Sequence, residues 1–359
     1  MKSTLLKILT LAGLALLTSG CVLFPVTSNK AATSKADGGV WRSADGGKTF
    51  AQAGDVLTVK GKVSTINNLG ILKLTLDPSD SATIYGATEA NGLIYSLDGG
   101  NSWSQFEALK QGYVRAVAVD PFNKCVVFVL IDNKLYKTEN CGRDFTNIYY
   151  HQKATVILTA LAVDHKNSKI VYVGTSEGEI LKSTDGGNTW LTVRRQAGDK
   201  IIDILVDLSN NRIIYVGTTK SGILKSLDAG QNWTSLGAGL ASYVGSHEYK
   251  QLIPDPATPN GLIFISKFGL LRTVDGGDSW QVIELLPNAK KTSILAVAVN
   301  PKSSAEFYYA TASSLVKTSD GGVKWSSKKM PFSTRLTTGI FISSENPNIV
   351  YLTTAPIKK

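Results

Sequence analysis

Ser183-Thr184-Asp185-Gly186-Gly187-Asn188-Thr189-Trp190 is the clearest copy of an octapeptide that recurs seven times along the chain. The copies begin at Ser43, Ser96, Thr138, Ser183, Ser226, Thr273 and Thr318, separated by 53, 42, 45, 43, 47 and 45 residues. The copy at Thr138 is worn: Asn140 replaces the central Asp, and Cys141 replaces the first Gly. Each residue type has a local task. The central carboxylate (Asp45, Asp98, Asp185, Asp228, Asp275 and Asp320, with Asn140 as its counterpart) accepts hydrogen bonds from backbone N–H groups of a tight turn. The glycines supply positive φ. The leading hydroxyl bonds the nearby backbone, and the closing Trp or Phe provides apolar bulk for packing between sheets. These Asp residues are read as structural.

A period of this size fits one four-stranded blade of a propeller. The rest of each repeat agrees. A first apolar strand ends in Asp or Asn, as in Ala116-Val117-Ala118-Val119-Asp120 and Ala296-Val297-Ala298-Val299-Asn300, and a turn that often contains Pro follows. A second strand carries a central aromatic: Tyr85, Phe128, Tyr172, Tyr215, Phe264, Tyr308 or Tyr351. A third strand runs into the octapeptide. No helical period follows residue 20. The chain ends complete the pattern. Thr337–Ile342 and Ile349–Thr354 resemble a first and second strand with no third, while Gly39–Ser43 resembles a third strand with no first or second. The sequence therefore predicts an all-β fold, a seven-bladed β-propeller over 39–357, closed by N- and C-terminal strands sharing one blade, which protects sheet edges.

The octapeptide matches the Asp-box, Ser/Thr-x-Asp-x-Gly-x-Thr/Ser-Trp, and the chain resembles Asp-box (BNR-repeat) propellers over nearly its whole mature length. In that family the box joins strands three and four, away from the usual binding face. The strands Val171-Tyr172-Val173-Gly174 and Ile214-Tyr215-Val216-Gly217 resemble sortilin-type and xyloglucanase-type blades.

The first twenty residues read as a signal peptide: Lys2, then an apolar run from Leu5 to Leu17 that is too short to span a bilayer comfortably. Leu17-Thr18-Ser19-Gly20-Cys21 resembles a bacterial lipobox with Cys21 as the lipidated residue, although Thr18 stands where Leu is usual. The alternative is an ordinary cleaved leader with an incidental cysteine. Residues 21–38 then form a lipidated Cys and a polar tether. The resemblance implies an exported protein of the cell envelope, lipid-anchored to a membrane. Cys125 and Cys141 fall nearly opposite one another if Asp132-Asn133 is a hairpin tip, so they form a possible disulfide in an oxidising compartment. The alternative is two free thiols.

The formal charge is +10, and +8 once Lys2 and Lys7 of the leader are left out. A basic surface suits an acidic protein, an acidic glycan or a membrane, and export argues against nucleic acid. The loops joining each fourth strand to the next first strand hold Arg115, Lys153, Arg194, Arg195, Lys200, Lys250, Lys290, Lys291 and Arg335, against fewer acids (Glu107, Asp199, Glu248, Glu284). This predicts a basic binding face around the channel. The insertion Gly237–Lys250 adds Tyr243 and His247. A second basic series precedes the boxes (Arg42, Lys137, Lys182, Lys225, Arg272 and Lys317) and is expected to lie along the blade surface.

Asp-boxes also occur in sialidases and xyloglucan-type hydrolases, so catalysis has to be weighed. Glycosidases need two placed carboxyls or a tyrosine nucleophile. Asp132, Glu177, Asp199 and Asp203 lie near the expected channel, but no pair is singled out, and Leu252-Ile253-Pro254 stands where sialidases begin with Arg-Ile-Pro. Three scattered histidines and no Cys/His cluster indicate no metal, and no cofactor is expected. A lone Asp-box propeller behind a lipoprotein leader is also distantly similar to the photosystem II assembly factor. That resemblance implies a membrane-tethered binding or assembly scaffold that recognises an acidic protein or glycan. A glycoside hydrolase acting on an extracellular polysaccharide is the alternative.

Overall fold

The computed structural model describes residues 36–56, 64–286 and 293–357. The expected leader (1–20), Cys21, most of the tether, Lys290 and Lys291 lie outside the described residues. The remainder forms seven antiparallel sheets. From the innermost strand outward, blade 1 is Ile71–Leu76, Ile84–Thr88, Leu93–Ser96 and Ser102–Gln105. Blade 2 is Val114–Asp120, Asn123–Ile131, Lys134–Thr138 and Thr146–Tyr150; blade 3 is Leu158–Val163, Val171–Thr175, Glu179–Ser183 and Leu191–Arg195. Blade 4 is Ile201–Val206, Ile214–Thr218, Ile223–Ser226 and Thr234–Ser235; blade 5 is Tyr249–Pro254, Leu262–Ser266, Leu270–Thr273 and Gln281–Ile283. Blade 6 is Ala296–Asn300, Ser303–Ala310, Ser314–Thr318 and Ser326–Lys329. Blade 7 joins the chain ends, with Arg335–Ile342 and Val350–Pro356 followed by Gly39–Ser43 and Ala51–Gln52. Val40 pairs with Thr353 and Trp41 with Leu352, so the shared blade is present as expected. Each innermost strand packs on the next, and the last packs on the first.

Two features departed from the sequence pattern. The long insertion after the first octapeptide adds Asp55–Val56 and Ser64–Thr65 to the outer edge of blade 1, with Asp55–Val56 running parallel to Ser102–Gln105. Short helical turns also occur, at Glu107–Leu109 and Gly237–Leu240, too brief for helical periodicity to show.

The octapeptide turns form one repeated bonding pattern. In blade 3 the Ser183 hydroxyl donates to Asp185 Oδ1 (2.8 Å) and accepts from Gly187 N (2.8 Å). The same carboxylate accepts from Thr189 N (2.9 Å) and from Thr189 Oγ1 (2.6 Å). In the worn copy the polarity is exchanged: Asn140 Nδ2 donates to Asp144 Oδ2 at 3.0 Å, and Asn140 Oδ1 still accepts from Asp144 N at 3.0 Å. Gly187 has no substitute, since its φ is +96° and a Cβ there would lie 2.5 Å from Ile148 Cδ1. Ala229 takes the left-handed conformation at the preceding position in blade 4, with φ +60°, at a cost of about 1–2 kcal/mol.

These turns also join neighbouring blades. The Tyr172 hydroxyl of blade 3 donates to Ala229 O in the turn of blade 4 (3.1 Å), and Lys182 Nζ donates to the same oxygen (2.8 Å). Lys182 Nζ also lies 5.4 Å from the Tyr172 ring centre. The arrangement repeats across the closing blade. Tyr308 reaches Gly46 O at 3.0 Å, and Tyr351 and Arg42 Nε reach Gly99 O at 2.9 and 3.1 Å. Tyr215 reaches Gly276 O at 3.3 Å, and Lys137 reaches Gly186 O at 3.0 Å beside Phe128. The basic residue before each box therefore does more than cover apolar surface: at most junctions it caps the next blade's turn. Two depart from this: Arg272 turns to Asp255 at 2.8 Å, and Lys225 meets the Asp278 carboxylate of the next turn at 3.6 Å instead of the carbonyl.

On the same side, the turns between first and second strands form a second circle of contacts. Lys124 meets Asp80 (3.0 Å), Ser209 meets Asn260 (3.4 Å), Thr258 meets Ser304 (2.6 Å), and Lys302 meets Glu345 O (2.6 Å).

The Asp carboxyls are held in the ionised form by their donors. The Thr189 hydroxyl, then its N–H and the Ser183 hydroxyl, hold Asp185 down at about 2. The N–H and side-chain amide of Asn232 hold Asp228 at about 2. An unfolded Asp titrates near ~3.9. The stabilisation is therefore complete above that value and lost as pH falls toward about 2. Thermal melts followed by circular dichroism from pH 5 to pH 2 should show Tm falling through this window. Asp185→Asn/Asp228→Asn should lose part of that dependence. A Tm that ignores acid over this range contradicts the account.

Candidate functional site

Strand direction fixes the two faces. Each innermost strand runs from a channel mouth toward the turn side, and every octapeptide lies on the turn side. The loops from fourth to first strands therefore gather at the mouth. There the innermost strand is irregular in blade after blade. The register shifts between Ile71 and Lys73, Leu158 and Ala160, Ile201 and Asp203, Tyr249 and Gln251, and Thr337 and Gly339, with a matching shift opposite Arg115. A bulge re-aims side chains, and these bulges fall at Leu72, Arg115, Thr159, Ile202, Lys250 and Thr338. Thr159 Oγ1 donates to Ile201 O of the next blade at 2.6 Å, closing one side of the gap that its bulge opens.

Arg115 is half-buried, with its guanidinium 4.5 Å from the Tyr113 ring centre and Nε enclosed without a hydrogen-bond partner. Lys250 is exposed at its bulge. Arg335 lies where blade 7 meets blade 1, half-buried, with one nitrogen 3.3 Å from Asn68 O and Nη1 enclosed without a partner. Lys200 is exposed just before the innermost strand of blade 4. Among the described residues none of these four makes an ion pair within 4.0 Å. Deeper in the channel, Asp203 of blade 4 keeps part of its surface open. Burial raises its pKa, and Lys73 of blade 1 pulls the other way. The Tyr249 ring lies against Gly217, where a Cβ would sit 2.0 Å from the ring, and its hydroxyl lies beside Asp203. Burial first, and Asp203 second, push that phenol well above its ordinary value.

The other candidates stand away from the channel, toward the rim. Lys153 and Arg195 line a cleft of about 480 Å³ between blades 2 and 3, together with Tyr150, His151, Glu177 and Glu179. Arg195 is ion-paired with Glu179 at 2.9 Å. Arg194 points to the other side of the same strand, half-buried, its pKa lowered by burial against the opposing pull of Asp199. A second cleft, of about 350 Å³, lies between blades 4 and 5 and brings Tyr243 and His247 beside Lys220. The four acids considered for catalysis do not meet. Asp132 is at a hairpin tip with φ +54°, Asp199 accepts from Ser221 Oγ at 2.6 Å, Glu177 is on the rim and Asp203 is in the channel. No group of three or more His, Cys, Asp or Glu side chains that could hold a metal occurs among the described residues.

No family model matches the sequence, and no curated protein matches it. Solved structures do. A GH74 enzyme from Niastella koreensis superposes with a TM-score of 0.62 at 18% identity, over 80% of this chain and 53% of that one. YCF48 from Cyanidioschyzon merolae gives 0.60 at 13% identity, over 79% of this chain and 95% of that one. YCF48 bound to a D1 peptide gives 0.60 at 17% identity, over 81% and 94%. This chain spans about half the length of the GH74 enzymes from N. koreensis and Xanthomonas campestris. At these identities the likeness establishes the fold, a seven-bladed β-propeller.

Cys125 and Cys141 meet at the base of a hairpin in blade 2, where Cys141 N–H donates to Cys125 O at 3.1 Å and the two sulfurs lie side by side. A bond between them would close a loop with a sequence separation of 16, worth about 3 kcal/mol in the chain-entropy account. Thiol titration of the denatured protein should find two more reactive thiols after reduction than before. An unchanged count contradicts the pairing.

Proposed function

We propose that this chain is an exported, membrane-tethered binding or assembly scaffold that holds an acidic protein or glycan at its channel mouth. The observation that carries this reading is the set of cations at the bulged strand starts. Arg115, Lys250 and Arg335 converge on one face, and among the described residues no carboxylate pairs with them. Charges placed so steer an anionic partner and are weakened by salt.

The path of the chain supports the tether. Gly39–Ser43 ends at an octapeptide turn, so it begins at the channel-mouth face. Asp37 is fastened there, its carboxylate accepting from Ser333 N (2.8 Å) and Thr334 N (3.0 Å). Fourteen residues lie between Cys21 and Ala36, and a tether from Cys21 would join the ring on its mouth side. The peptide-bound YCF48 structure supports a single propeller of this size as a protein holder. An extracellular domain from Bacteroides thetaiotaomicron with the same fold (TM-score 0.58, 14% identity, over 81% of this chain and 42% of that one) is consistent with export. The hydrolase reading draws on the GH74 likeness, but among the described residues the four acids considered for it stand apart.

Partner capture from native envelope membranes, quantified against ionic strength, tests this. Arg115→Glu/Lys250→Glu/Arg335→Glu should lower capture at least tenfold, while Lys48→Glu/Lys324→Glu on the turn side leaves it unchanged. Equal capture by both variants contradicts the reading.

A further inference from the structure

The cleft between blades 2 and 3 is chemically unlike the channel mouth. Its inner wall carries Glu179, a carboxylate at the start of the strand Glu179–Ser183 and only 9% exposed. A buried carboxylate needs partners, and this one has two. Oε2 lies 3.1 Å from His151 Nε2, and Oε1 lies 2.9 Å from Arg195 Nη2. His151 Nδ1 accepts the Lys153 N–H at 3.1 Å, which puts the ring proton on Nε2, facing Glu179. Glu179 thus fixes Arg195, whose side chain is 69% exposed and keeps donors free for a ligand.

Lys153 and Glu177 complete the rim. The charges balance, with two cations against two carboxylates. An anion bound here would meet Glu177 and Glu179, and a cation would meet Lys153 and Arg195. A ligand whose groups both donate and accept finds partners of both kinds, and sugar hydroxyls do so. The remaining wall includes Tyr149, Val156, Leu181, Thr192 and Tyr150, the last 62% exposed on the outermost strand of blade 2. An open aromatic face suits the C–H face of a pyranose, whose hydrogens carry slight positive charge toward the ring's electron-rich surface. The volume, about 480 Å³, falls within the range of roughly 300–1,000 Å³ usual for small-molecule sites.

We propose that this cleft is a subsite for an uncharged saccharide unit, with Tyr150 against the sugar ring and Glu177, Lys153 and Arg195 on its hydroxyls. The subsite stands apart from the channel mouth and does not depend on what is held there.

Calorimetric titration of the mature full-length protein tests it with neutral gluco-, manno- and galacto-hexaoses, hexagalacturonate and a mixed-sequence peptide. At least one neutral hexaose should bind. Tyr150→Ala should weaken that binding at least tenfold and Glu177→Gln at least threefold, while Tyr150→Phe, which keeps the ring, changes it less than threefold. Lys324→Glu on the turn side should leave it unchanged, and because the readout is a neutral hexaose rather than capture from membranes, failure here is distinguishable from failure of the channel-mouth reading. No binding by any neutral hexaose, a preference for hexagalacturonate or the peptide, or binding that survives Tyr150→Ala would overturn the proposal.

Discussion

The capping of a blade's turn carbonyl by its neighbour, made at five of the seven junctions among the described residues, is the constraint on which the rest of the molecule depends. Within the ring, the second strands of blades 1, 3, 4 and 5 are buried along their whole length, which takes the company of the neighbouring blades. The carbonyl oxygen in the left-handed part of the octapeptide turn points out of its own blade, where it would lack a partner. The preceding blade supplies one, through a tyrosine hydroxyl, a lysine or arginine, or both. Each such bond contributes about 1 kcal/mol net, while leaving the oxygen enclosed and unpaired would cost about 1–3 kcal/mol. Where the basic residue before the box is missing, at Tyr95, aromatic packing takes over. Tyr95 stacks on Phe106 at 4.2 Å, and Phe106 meets Phe145 edge-on at 5.2 Å.

This arrangement divides the labour between the two faces. The turn side is occupied by octapeptides, Asp-capped turns and their cross-links, and its carboxylates are consumed by backbone donors. The mouth side carries the long loops and the bulged strand starts. Bulges free side chains from the regular ladder, so a rigid ring presents Arg115 and Lys250 around a channel while the opposite face holds the ring closed.

The fold was legible in the sequence because every blade solves the same turn problem with the same residues. Asp185, Gly187 and Trp190 recur as a set, with Asn140 and Phe145 standing in for the first and last of them in the worn copy. The shared closing blade was legible because each chain end lacked what the other had. The binding surface was less so. Loop position alone grouped Lys153 and Arg195 with Arg115 and Lys250, yet the first two line a rim cleft and Arg195 is committed to Glu179. That pairing is tertiary: it needs blade 2 to bring His151 against blade 3. Glu179 itself went unremarked, although a carboxylate opening the apolar run Glu179-Ile180-Leu181 was a signal that it would have to find partners. The basic residues before the boxes were placed correctly beside the turns, but their reach to the next blade could not be read from one repeat.

The capping account is tested most directly at the closing junction, where the donor comes from the last strand of the chain and the acceptor from blade 1. Urea denaturation of Tyr351→Phe should be compared with Tyr172→Phe, an internal junction with the same bond. The account predicts that both lose about 1 kcal/mol of stability, because a closed ring has no weak joint. A loss at Tyr172 with none at Tyr351 would contradict it.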